Sequence, residues 1–315
     1  MADLHRRLAA LGYTTGDDEP GMFGPGTAVA VSAFQAERGL RIDGLCGEQT
    51  WAAVVEAGFR LGDRRLYQRK PMMRGDDVAD LQNRLGALGF DAGKVDGIFG
   101  PDTVGALEDF QRNAGLTVDG IFGPDELQVL DRLGHRGDGV VTELREIAAL
   151  RWHARSFSNL KVTVAHRGGL DGLATSLGRL LRRQGADAMV VSHPDGSELA
   201  QQANVARASL YLEFASLGSQ PGCRTSFYRG YNTLSPAGRA LAVILQSRIP
   251  AALGVPGLGA CGMAIPALRE TRMPAVFVEV GPTGLLVERA PVLVAAVADG
   301  LDAWMAPDRP SEIVN

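Results

Sequence analysis

Apolar residues recur at helical spacing over the first 130 positions of this chain and in short continuous runs after position 160. Leu4, Leu8 and Leu11 stand at i, i+4 and i+7, one face of a helix, and Leu81, Leu85 and Leu88 repeat the pattern. Gly12 and Gly89 follow as helix stops. Phe23-Gly24-Pro25 and Phe99-Gly100-Pro101 predict a turn that opens a second helix, since Pro suits the first helical turn. That helix turns Val31 and Phe34, or Leu107 and Phe110, inward. Asp43-Gly44 and Asp119-Gly120 predict the next turn, and Gly47 or Gly123-Pro124 opens a third helix. Trp51 is expected in the core beside Phe34 and Phe110.

The two stretches are copies of one unit. The offset is 77 at Leu4/Leu81 and 76 from Phe23/Phe99 onward, so the copies differ by one loop residue. A repeat of this quality fixes the architecture of that part of the chain. It predicts a three-helix module over 1–58 and another over 77–134. Residues 59–76 between them are basic and read as a solvated linker. Residues 135–158 form a second joint, in which VVTELREIAALRW makes a helix.

From Leu160 the pattern changes. Residues 161–165, 188–192, 210–215, 225–228 and 275–280 read as strands. Helices are expected over 173–184, 199–207, 237–248 and 291–304. Strands alternating with helices predict an α/β domain over 159–308 with a mainly parallel, twisted sheet covered on both sides. Residues 309–315 are left as a tail. The fold class is therefore multidomain: two small all-α modules followed by an α/β domain.

Composition narrows the function. A net charge of −4 gives no support for a nucleic-acid partner. Cys46, Cys223 and Cys261 are odd in number and widely spaced, with no CxxC, so they are expected to be reduced thiols. No run reaches the ~20 apolar residues of a membrane span, and MADLHRRLAAL lacks the apolar core of a signal peptide. A cytoplasmic location is the expectation.

The repeats resemble the three-helix peptidoglycan-binding module appended to many cell-wall hydrolases. Asp96-Gly97-Ile98-Phe99-Gly100-Pro101, Phe110-Gln111 and Asp119-Gly120 carry the match in copy two; in copy one the first Asp-Gly becomes Pro20-Gly21. The resemblance implies peptidoglycan fragments or precursors as ligands. The contacts are expected from exposed polar residues near the turns: Gln35, Asp43, Gln111 and Asp119.

Residues 268–281, LRETRMPAVFVEVG, resemble the LRxTxMPAVLVExGF stretch of the zinc-dependent N-acetylmuramoyl-L-alanine amidases. In those enzymes zinc polarises the scissile carbonyl and activates water, while a carboxylate in the last strand handles the proton. Glu279 matches that carboxylate. The family holds its metal with His, Glu and His, leaving one position for water. Here Val164-Ala165-His166-Arg167-Gly168-Gly169 puts Arg167 on the first ligand position, with His166 one residue early. The loop and Glu of the second ligand have no counterpart. Ala208-Ser209-Leu210-Tyr211-Leu212-Glu213-Phe214-Ala215 aligns with ADLFVSIH and puts Ala215 on the last His. No zinc or other cofactor is therefore expected, although the family uses one, and Glu279 is expected to pair with Arg167 or Arg272. The alternative is a rearranged set of His166, His193 and Glu198 with Glu279.

Tandem modules before an amidase domain without its ligands resemble the CwlM-like proteins of actinobacteria. That resemblance implies a non-catalytic regulator of peptidoglycan precursor synthesis that acts on the enolpyruvyl transferase MurA. The competing readings are an amidase with a rearranged zinc site and a purely structural wall-binding protein.

Overall fold

A computed structural model describes residues 1–133, 156–230 and 233–306, in two compact units. The first unit holds both repeats. Its helices are α1 (Ala2–Ala10), α2 (Pro25–Glu37), α3 (Glu48–Glu56), α4 (Asp76–Ala87), α5 (Pro101–Ala114) and α6 (Pro124–Leu133). Pro stands at the start of α2 and α5, as its fixed φ and missing N–H favour. Gly12 and Gly89 take φ of 89° and 97° after α1 and α4, the left-handed conformation that lets the chain leave each helix.

Each copy has its own core. Leu4, Leu8, Val31, Phe34 and Val54 are buried in the first, where Tyr13 packs edge-on against Phe34 with ring centroids 5.7 Å apart. Leu81, Leu85, Phe99, Leu107, Phe110 and Phe122 are buried in the second. Trp51 departs from expectation: it keeps 37% of its surface exposed. Its helical position points between the core and solvent, and the Arg7 guanidinium lies 5.8 Å from its ring.

The basic stretch 59–76 is not a free linker. Leu66 and Met73 are buried in the core of the second copy. Leu66 exchanges two backbone hydrogen bonds with Phe122, at 3.0 and 2.8 Å. Arg64 donates to the fully buried carboxylate of Asp77 at 2.7 and 3.0 Å and stacks 3.6 Å above the Phe59 ring. Net charge hid the two apolar residues that decide where the segment goes. Arg38 of the first copy grips Asp76 of the second through both carboxylate oxygens, at 2.9 and 2.8 Å.

The second unit is an α/β domain. Its elements are β1 (Lys161–His166), α7 (Asp171–Arg183), β2 (Asp187–Ser192), α8 (Gly196–Val205), β3 (Leu210–Ser216), β4 (Gly222–Tyr228), α9 (Pro236–Leu253), β5 (Gly257–Met263), α10 (Pro266–Arg269), β6 (Ala275–Gly281), α11 (Thr283–Glu288) and α12 (Ala290–Met305). The strand order is β2-β1-β3-β6-β4-β5. All pairings are parallel except β4 against β6. Helices α7, α9 and α12 cover one face over a large aliphatic core, and α8 and α10 cover part of the other.

Strand β5 was not legible in the sequence. Gly257, Gly259 and Gly262 interrupt any apolar alternation, and none of its residues is buried. It forms because it is the sheet edge: its backbone pairs with β4 and little side-chain packing is asked of it. The segment 135–155, expected to contain a helix, and the tail 309–315 lie outside the described residues.

Candidate functional site

In a mainly parallel sheet, ligands are met at the carboxyl ends of the strands. Register brings the three motif positions together there. His166 pairs with Phe214 across β1 and β3, so Arg167 follows β1 beside Ala215; Ala215 in turn pairs with Glu279 across β3 and β6. Alternation along the strands puts Arg167, Glu213, Ala215, Phe277 and Glu279 on one face.

Arg167 and Glu213 occupy the centre of this group. Arg167 Nε donates to Glu213 Oε1 at 2.7 Å, and Tyr211 Oη donates to Glu213 Oε2 at 2.8 Å. The Glu213 side chain is fully buried, while that of Arg167 stays 39% exposed. Both oxygens of the buried carboxylate are thus partnered, which offsets the cost of taking its charge out of water. Burial, and then the Glu213 charge, push the Tyr211 hydroxyl pKa upward, keeping it a donor. The guanidinium lies 5.7 Å from the Phe277 ring centroid. A Cβ on Gly196, at the start of α8, would meet an Arg167 nitrogen at 2.9 Å, so glycine there leaves the space that Arg167 fills.

Arg167, one expected partner of Glu279, is instead committed to Glu213. Among the described residues Glu279 forms an ion pair with Arg224 of β4, opposite it in the antiparallel register, at 3.7 Å. The antiparallel pairing of β4 was not readable from the sequence, so neither was this neighbour. Glu213 was also missed as a site residue. The available signal was that ADLFVSIH has Ser where this chain has Glu213, two residues before the lost His.

These residues do not fit a zinc ion. Arg167 is a cation with donors only, and the Ala215 methyl offers no lone pair. His166 is buried on the opposite face, with Nδ1 accepting from the Gly168 N–H at 3.2 Å and Nε2 lying 3.6 Å from Asp171. His193 Nδ1 accepts from the Asp195 N–H at 3.1 Å, and Asp195 caps α8, so this stretch is a turn. Among the described residues no three His, Cys, Asp or Glu side chains converge as metal ligands, the rearranged set included.

In the helical unit, Gln35 and Gln111 are not exposed contacts. Their side chains are buried at 1% and 0% exposure. Gln35 Nε2 donates to Asp43, the Leu45 carbonyl and Thr50, while Oε1 accepts from the N–H groups of Asp43 and Gly44. Gln111 binds Asp119, Ile121, Glu126 and Gly120 in the same manner. Gln82 repeats the arrangement on Asp96 and Gly97. These glutamines pin the Asp-Gly turns, whose glycines take φ of 69° at Gly44 and Gly97 and 67° at Gly120. In copy one His5 replaces Gln82 and contacts Thr27, which Asp18 also holds. Asp43 and Asp119 are exposed as expected. The N–H of Leu45 or Ile121, then the glutamine, hold each carboxyl below the usual range.

Residues 1–54 and 74–130 match the family described as "Putative peptidoglycan binding domain". The chain matches a curated relative from Mycobacterium tuberculosis, N-acetylmuramoyl-L-alanine amidase CwlM, at 33% identity over 89% of this chain and 79% of that protein. The chain belongs to the CwlM family. It joins peptidoglycan-binding modules to an amidase-like domain. A shorter match, 32% identical over 36% of this chain and 38% of the relative, is to the amidase CwlL of Bacillus licheniformis. A solved amidase from Clostridium difficile superposes with a TM-score of 0.38 at 20% identity, over 46% of this chain and 98% of that one. The CwlM family member described here is a cell-wall amidase-like protein, and no helix among the described residues is long and apolar enough to cross a membrane.

Proposed function

We propose that this protein is a non-catalytic regulator of cell-wall synthesis that binds peptidoglycan fragments or precursors. The Arg167–Glu213 pair carries the proposal. An amidase of this family needs an electrophile that holds the scissile carbonyl and a water together. At that place the chain has a guanidinium already committed to a buried carboxylate. Glu279 faces Ala215 rather than a metal ligand. The changes at the positions of Arg167 and Glu213 are complementary: each supplies the charge that the other needs. Paired change of this kind supports a domain kept for binding.

The modules then serve as the ligand-reading part. The protein acts in the cytoplasm, docking on a precursor-synthesis enzyme such as MurA. Zinc analysis and muropeptide digestion of purified protein test the first part: sub-stoichiometric zinc and no cleavage are expected. Stoichiometric zinc, with cleavage abolished by Glu279→Gln, would overturn it in favour of the hydrolase that the relatives' names describe. Affinity capture from native cytoplasm tests the second part, and recovery of no precursor-synthesis enzyme would count against it. Cell fractionation tests the location.

A further inference from the structure

The two repeats differ in what lies over them. In copy two, the segment before α4 lies against the module and pairs with it at two isolated bridges, Leu66 with Phe122 and Arg74 with Ile98. Leu66 exchanges backbone hydrogen bonds with Phe122, and the Phe99 N–H donates to the Met73 carbonyl at 2.9 Å. Leu66 and Met73 lie at 0% and 5% exposure over Phe99 and Phe122, which are themselves fully buried. By the offset of 76, Phe23, Leu45, Cys46 and Trp51 of copy one stand where copy two has Phe99, Ile121, Phe122 and Leu127.

No such segment covers copy one among the described residues. Phe23, Leu45 and Trp51 are exposed at 40%, 63% and 37%. With Leu4 and Cys46 they line an open groove of about 600 Å³. The backbone N–H groups of Phe23 and Cys46, the counterparts of those that bond Met73 and Leu66, have no hydrogen-bond partner among the described residues. The smaller Cys46 deepens the groove where Phe122 fills it in copy two.

We infer that this groove of the first module is a docking site for an extended peptide segment of a protein partner, anchored by a large aliphatic side chain in the place that Leu66 takes in copy two. Strand addition supplies affinity through main-chain bonds, and the pocket under the anchor supplies selectivity. The occupant's chemistry is read from the same protein, which shows what covers this surface when it is covered. The aliphatic anchor and backbone pairing are the two elements of recognition that copy two displays, through Leu66 and Met73. The inference is independent of whether the amidase-like domain turns over substrate.

The test uses the full chain and a fluorescein-labelled synthetic peptide of residues 60–74, RLGDRRLYQRKPMMR, with anisotropy as the readout. Saturable one-to-one binding is expected. It should weaken at least tenfold with a peptide carrying Leu66→Asp, and equally with the full chain carrying Leu45→Asp. Leu45 is exposed, so its exchange leaves the fold intact, checked by an unchanged melting curve. No binding, or binding indifferent to Leu45→Asp, overturns the inference. Two other occupants would also overturn it. One is a soluble disaccharide-tetrapeptide that displaces the peptide and whose own binding is lost in Leu45→Asp. The other is a dimer in sedimentation that Leu45→Asp dissociates.

Discussion

Arg167 and Glu213 are joined at 2.7 Å across β1 and β3, with the carboxylate fully buried and its second oxygen held by Tyr211. Removing the cation leaves a buried charge half-satisfied. Arg167→Met should therefore destabilise the protein by about 3 kcal/mol, the lower part of the range because the guanidinium is partly open to solvent. Arg167→Met combined with Glu213→Leu should recover much of the loss. Urea denaturation of the single and double variants measures both.

The buried glutamines predict a different kind of sensitivity. Gln111→Leu removes five hydrogen bonds that hold one turn and leaves the Asp119 and Gly120 N–H groups without their acceptor. A loss of about 2–4 kcal/mol is expected, seen as a lowered melting temperature of the helical unit. If Gln111 were instead a surface ligand contact, stability would not move.

Acid should act on the same turns. The carboxyls of Asp43 and Asp119 are held below their ordinary value of 3.8 by the N–H groups of Leu45 and Ile121 and by Gln35 and Gln111. A group whose folded pKa is depressed contributes stability above its unfolded pKa. That contribution is lost as pH falls through the folded value. The melting temperature should thus fall on acidification below about pH 4. Asp119→Asn should flatten part of that acid limb, as a pH series of melting curves would show.

Thiol chemistry should separate the cysteines. All three are free, and Cys223 is fully buried. Burial, and next the Glu279 charge, push its thiol up to about 12. At pH 8 it should stay unlabelled by an aromatic disulfide reagent in the native protein and react once the domain is unfolded. Cys261, half-buried on the edge strand, should react first.

Two aromatic residues with similar sequence credentials should part company. Phe34 is at 0% exposure and Trp51 at 37%. Phe34→Ala should cost about 3–5 kcal/mol through the cavity it leaves. Trp51→Ala should cost a small fraction of that, and calorimetry of the two variants gives the comparison.

Spacing alone determined most of the helical unit. The 76-residue offset, the helix-opening prolines and the stop glycines are local signals, and local backbone preference enforces them. That Arg167 and Ala215 bring no metal-binding lone pair was equally plain, because residue identity alone decides it. Tertiary structure decided the rest. Gln35 and Gln111 looked like surface groups until folding brought their own turns around them, and the basic stretch 59–76 looked solvated until Leu66 and Met73 found the second core. Glu213 found Arg167, and Glu279 found Arg224, only through strand register. A side chain's neighbours across a sheet come from distant parts of the chain, and no periodicity along the sequence encodes them.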